Sequence, residues 1–158
     1  MRRNLLVIGF VMVFALIAAN IGMAQTTVPN DLIVTATVVP SCRITSVTDI
    51  GFGTYDPTDA ADNDAGSGDI NFRCVRGTDY NTYIVGTRTM TDGGVETLDF
   101  ELYSDAGRTT TYPSATEGIT GNAANNAIIT SNIYGRIAAL QDVAVGSYSV
   151  TLTATVEY

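Results

Sequence analysis

A chain of 158 residues with eight Arg, sixteen acidic residues and a net charge of −8 offers no basic stripe for nucleic-acid phosphates, and it contains no His, no Lys and no Trp. Those absences exclude an imidazole general base, Ser-His-Asp and Cys-His nucleophile arrangements, P-loop and Schiff-base lysines, and zinc sites built on imidazole. Carboxylates, hydroxyls and Arg remain, as in carboxylate-pair hydrolases, but the pattern below favours a structural role with no catalytic, cofactor-binding or metal-binding residue.

In chain order, Arg2 and Arg3 form a basic start, an apolar run follows from Leu5 to Ala19, and small residues stand at Gly22 and Ala24. This is the order of a secretory signal peptide over residues 1–24; the run falls short of the ~20 residues needed to span a bilayer. Its removal leaves six Arg against sixteen acids, a net charge of −10, in a single exported domain. Next comes a segment, residues 25–40, in which Val28, Leu32, Val34, Ala36 and Val38 fall on alternate positions ahead of Pro40. Thr35 and Thr37 take the opposite face, and Ile33 and Val39 blur the pattern. Such a segment is either an ordinary first strand or an extended arm that adds to the sheet edge of a neighbour.

The remainder, residues 41–158, reads as all-β: period-2 alternation broken by Gly, Asp, Asn and Thr clusters, with no helical stripe. Strands are expected at Asp69–Val75, Tyr80–Val85 and Ile128–Ile137, the last interrupted by Gly135. Leu98, Phe100 and Leu102 alternate with Asp99, Glu101 and Tyr103 in one further strand. The last run is the cleanest: Tyr148, Val150, Leu152, Ala154, Val156 and Tyr158 share one face, opposite Thr151, Thr153, Thr155 and Glu157. Polar loops fill Asp56–Gly68, Thr91–Thr97, Ser104–Thr116 and Gly118–Asn126. Short strands separated by turn signals predict an immunoglobulin-like β-sandwich. Cys42 and Cys74, an even pair in an oxidising compartment, read as a disulfide, the alternative being two free thiols with separate roles. Closing that loop would add roughly 3.5–4 kcal/mol in the chain-entropy picture.

Three clusters invite chemistry and carry little. Asp56, Asp59, Asp62, Asn63, Asp64 and Asp69 suggest calcium, but an EF-hand frame starting at Asp62 puts Ser67 and Arg73 where Gly and Glu are needed. A solvated acidic loop is the simpler reading. Asp99 and Glu101 are expected on one solvated strand face, and Tyr80, Tyr83, Tyr103, Tyr134 and Tyr148 as core and rim packing. Arg136 is expected to serve structure, through an internal ion pair.

An ordered series of short motifs resembles the spore coat protein U domain family, which includes the pilin subunits of archaic (Csu-type) chaperone–usher pili. The series runs Val34-Thr35-Ala36-Thr37-Val38 before Cys42; Ile50-Gly51-Phe52-Gly53-Thr54-Tyr55 with Pro57; Gly68-Asp69-Ile70 leading to Cys74; Arg88-Thr89-Met90; Leu98 to Tyr103 with Asp105; Ile133-Tyr134-Gly135-Arg136-Ile137; Gln141; and Gly146-Ser147-Tyr148 ahead of a Thr-rich end. The resemblance implies an immunoglobulin-like fold missing its last strand, whose groove is filled first by a periplasmic chaperone. At an outer-membrane usher the arm of the next subunit would then replace the chaperone strand, giving a homopolymeric surface fimbria used in adhesion and biofilm. On that template Val28, Leu32, Val34, Ala36 and Val38 are donor side chains, and the run from Tyr148 to Tyr158 is a groove wall offering its edge to the chaperone. No nucleic acid, cofactor or small-molecule substrate is implied. The chain departs from the family pattern at Val150, where Asp is usual, and at Tyr112-Pro113, where Trp-Gly is common. A secreted spore-coat or surface-matrix protein that self-associates is the alternative within the same class.

Overall fold

The computed structural model describes residues 25–115 and 117–158; the expected signal segment lies outside them. Among the described residues there is no helix, and nine strands form: β1 (Cys42–Thr48), β2 (Ser67–Cys74), β3 (Asp79–Val85), β4 (Thr89–Thr91), β5 (Thr97–Asp99), β6 (Glu101–Tyr103), β7 (Ile119–Asn122), β8 (Ile129–Arg136) and β9 (Thr153–Glu157). They build a four-stranded sheet in the order β1-β2-β8-β6, a three-stranded sheet β7-β3-β9 and a β4-β5 hairpin, antiparallel throughout. The all-β, immunoglobulin-like sandwich expected from the alternation is therefore what forms. Thr37–Tyr158 is one compact unit, and the described residues before Thr37 belong to another.

The core lies where the inward faces of the two larger sheets meet. Ile70 and Phe72 of β2, Ile133 of β8 and Leu102 of β6 come from one sheet; Thr82 and Ile84 of β3 come from the other. Alternation puts these residues inside, because successive side chains of a strand point to opposite faces. Cys42 stands directly opposite Cys74 in the β1–β2 ladder and the two form a disulfide.

Several elements depart from the sequence expectation, each for a local reason. The Leu98–Tyr103 segment is two strands in two sheets: β5 pairs with β4, β6 pairs with β8, and at Phe100 between them the backbone N–H turns to the carbonyl of Arg88 at 2.9 Å. Gly135 does not interrupt β8, since it stays in register with Leu102. It is glycine because the Phe52 ring occupies the space a Cβ would need, with Cζ only 2.5 Å from that point. The polar loop expected at Gly118–Asn126 contains β7, while β4 is too short and β1 too polar for their patterns to stand out.

The terminal run is shorter as a strand than its alternation suggests. Only Thr153–Glu157 pairs with β3; Tyr148 to Leu152 keep the alternation of half-buried and exposed side chains but make a single bridge, Ser149 to Thr91. The ladder stops at the Val85–Thr153 pair; the next residue, Gly86, has a φ of 136° and packs against Leu152 without continuing the strand. Residues 25–41 form no strand.

Candidate functional site

The end of β1 and the run leading into β9 face each other across a cleft of about 440 Å³ with an apolar floor. One wall is the end of β1 and its continuation, Val47 to Ile50; the other is Tyr148 to Leu152 with Ala154. Ile84, Met90, Phe100, Leu102 and Ile133 form the floor, and Phe52 closes it. β1 is an edge of the four-stranded sheet and β9 an edge of the three-stranded one, so each leaves one row of backbone groups without a ladder among the described residues. An extended segment laid between them would find hydrogen-bonding edges on both sides and an apolar floor beneath.

The Gly-Phe-Gly motif shapes that floor. Gly53 takes a left-handed φ of 66° that turns the chain, and the Phe52 ring lies over Gly66 and Gly135, both of which would collide with it if they carried a Cβ. The ring packs at a tilt against Phe100, centroids 5.9 Å apart. Asn63 holds the turn by donating from Nδ2 to the carbonyls of Phe52 and Thr54 at 3.0 and 3.2 Å. At the opposite wall the Tyr148 hydroxyl donates to the Ala144 carbonyl at 2.8 Å. Burial, then the nearby Glu96 and Asp92 carboxylates, push that phenol above its ordinary range.

The proposed wall residues divide. Tyr148, Val150, Leu152 and Ala154 line the cleft; Val156 is half-buried against the core outside it, and Tyr158 is largely exposed. The candidate donor side chains are not among the cleft residues: Val28, Leu32, Val34 and Val38 are 77–89% exposed, and Ala36 is exposed as well. A broader hollow of about 600 Å³, lined by Asp79, Tyr80, Asn81, Thr120, Gly121, Glu157 and Tyr158, includes no buried core residue.

The acidic loop is tied down rather than simply solvated. Arg136 donates from Nε and Nη2 to the two carboxylate oxygens of Asp64 at 2.7 and 2.9 Å, and its Nε lies 3.4 Å from Asp62. Arg108 stands 3.3 Å from Asp64 and donates to the Gly135 carbonyl at 3.0 Å. Asn63 and Ile137 exchange backbone hydrogen bonds at 2.8 and 3.0 Å. The Arg136 hydrogen bond, aided by the charges of Arg108 and Arg136 against a smaller cost of burial, holds the Asp64 carboxyl below its ordinary range. The structural ion pair expected of Arg136 is thus present, with Asp64 as its partner.

Asp99 and Glu101 do not form a pair on one strand face. Asp99 accepts from Thr89 Oγ1 at 2.7 Å, whereas Glu101, on the next strand, accepts from the Leu102 N–H at 2.8 Å and lies 3.7 Å from Arg88. Tyr80 meets Phe72 edge-on and Tyr103 lies beneath the Arg136 guanidinium. Among the described residues no three Cys, His, Asp or Glu side chains are grouped as a metal ion would require.

Sequence reading missed the β1 wall and the depth of Tyr112. The first had a signal in the Ile50-Gly-Phe-Gly motif; the second had none, since it depends on which strands meet around it. Residues 29–155 match the Spore Coat Protein U domain family. Comparison with curated protein sequences finds no match. Among solved structures the chain is similar to one described as the CsuC–CsuE chaperone–tip adhesion subunit pre-assembly complex from archaic chaperone–usher Csu pili of Acinetobacter baumannii. The identity is 21% and the TM-score 0.51, over 77% of this chain and 40% of that one, so the likeness is one of fold with well under half of the other chain. The Hda pilus minor tip subunit HdaB of E. coli aligns at 15% identity and a TM-score of 0.40 over 72% of this chain and 79% of its own, too distant to carry weight.

Proposed function

The chain belongs to the Spore Coat Protein U domain family, and from that premise we propose that it is an exported structural subunit of a chaperone–usher pilus, polymerised by donor-strand exchange. One observation carries the reading: a single chain holds both an apolar-floored cleft between the end of edge strand β1 and the run leading into edge strand β9 and an exposed, alternately apolar arm of matching chemistry. Residues 1–24 serve as the signal peptide, residues 25–40 as the donor extension, and residues 41–158 as the incomplete domain that accepts a strand. A periplasmic chaperone covers the cleft first; at the outer-membrane usher the arm of the next copy takes its place. The protein works as a fimbrial building block at the cell surface, in adhesion and biofilm, and not as an enzyme.

Burying the aliphatic side chains of an arm is worth up to roughly 1.5–3 kcal/mol each before ordering costs. Backbone pairing along both edges adds direction and register. A joint of this kind persists because leaving it requires re-exposing the whole cleft, so its lifetime is kinetic.

Deleting residues 25–38 tests the proposal. The truncated chain should still be captured by the co-expressed chaperone, while fibres disappear from electron micrographs and from sedimentation assays. Fibres assembled by the truncated chain would refute donor-strand exchange. A secreted coat or matrix protein that completes its own sandwich would instead be a stable soluble monomer with residues 28–38 protected from hydrogen exchange.

A further inference from the structure

We infer that the Cys42–Cys74 disulfide is a load clamp that isolates the cleft wall from tension on the same subunit's arm. The inference rests on the donor-strand reading for its biological meaning, though not for its mechanics. The arm runs through Pro40 and Ser41 straight into Cys42, the first residue of β1, and the continuation of β1 from Val47 to Phe52 lines the cleft. In a fibre whose arms are held by neighbours, pulling on the arm therefore pulls on the strand that forms the acceptor wall.

On its own β1 is poorly fitted to resist. It is an edge strand, its register shifts between Ile44 and Ser46, and most of its side chains are exposed. A pull at one end of such a strand opens its pairs one after another instead of loading them together. β2 is the opposite case: it is paired on both sides, and Ile70 and Phe72 are wholly buried. The disulfide joins the strands at the first pair of their ladder, at the point where the arm enters, and the Val75 N–H adds a 2.8 Å bond to the Ser41 carbonyl. Force arriving at Cys42 passes into β2, and the whole stretch between the two cysteines, the cleft wall and the Phe52 turn included, lies inside a covalent loop that tension on the arm cannot extend.

The test pulls the chain from Gln25 to Tyr158 between handles at both ends, in complex with the co-expressed chaperone where that captures it and alone where it is a stable monomer, with the disulfide intact and after reduction by a phosphine. The intact chain should unfold in one event. The reduced chain should first yield at lower force, lengthening by about 85 Å as β1 and the following loop peel back to the start of β2, at ~3.4 Å per residue. The rest of the domain should then unfold near the intact chain's force. A reduced chain that unfolds in one step at the intact force, or that is already unfolded before load is applied, overturns the clamp, the latter by showing that the bond holds the fold itself. Because these traces come from single chains, they stand whether or not the arm-deleted protein forms fibres.

Discussion

Tyr112 shows how much one buried hydroxyl can tie together. Its side chain is 2% exposed, its backbone N–H bonds to the Leu102 carbonyl, and its hydroxyl lies 3.3 Å from Thr82 Oγ1 and 2.7 Å from Ser131 Oγ. Thr82 belongs to the three-stranded sheet and Ser131 to the four-stranded one, so a single oxygen links the two layers. Tyr112→Phe keeps the ring, takes the bond from Ser131 Oγ and leaves Thr82 Oγ1 only its 3.4 Å bond to the Ile119 carbonyl. A loss of about 1–3 kcal/mol is expected, read as a lower denaturation midpoint with an unchanged m-value. Sequence marked this position only as a place where Trp-Gly is common in the family. What makes it central, two hydroxyls from strands far away in the chain, is a property of the packing and leaves no local trace.

At the scale of elements, the loop expected at Asp56–Gly68 read as solvated acid, and the structure ties it to the end of β8 through Asp64, Asn63 and Arg136. Because the Asp64 pKa is lower in the folded chain than in the unfolded one, its pairing contributes stability above the ordinary carboxylate range and loses it as pH falls through the folded pKa. Melting temperature followed from about pH 7 down to about pH 2.5 should fall less steeply for Asp64→Asn than for the parent, and the parent should be the more stable only at the upper end. Parallel acid limbs would show that the pair adds nothing. Strand existence was legible wherever alternation was long, as in β2, β3 and β8. Strand extent was not: the Tyr148–Tyr158 pattern describes which side chains face inward, and pairing additionally needs a neighbour, which β3 supplies only as far as Val85.

For the molecule as a whole, donor-strand exchange as proposed requires the lengths of arm and cleft to agree. The wall from Tyr148 to Ala154 is seven residues, about 20–23 Å of extended chain at ~3.3 Å per residue. The arm's candidate donors span eleven residues, from Val28 to Val38, with Asn30 breaking the apolar series. Leu32 to Val38 matches the wall in length and supplies four alternating side chains, which leaves Val28 beyond it. Val34→Asp should therefore reduce fibre yield at least ten-fold in pelleting assays, since a buried unpaired carboxylate costs several kcal/mol, whereas Val28→Asp should assemble within about two-fold of the parent. Equal sensitivity at both positions would show that the seated segment is longer than the cleft. The alternation of residues 28–38 is plain in the sequence, and its seating in a neighbour is the proposal these variants test; the cleft was half legible, through the last run, since a groove belongs to two walls and only one had a long pattern.

The crossing at Phe100 bears on how the domain fails. One short stretch, Leu98 to Leu102, belongs to the β4-β5 hairpin at one end and to the four-stranded sheet at the other, and the hairpin is bridged through Thr91 to Ser149 on the way to β9. Heat cannot melt one layer and spare the other without tearing that stretch from a home in which Leu98, Phe100 and Leu102 are all buried. The two layers are therefore expected to lose structure together rather than one after the other.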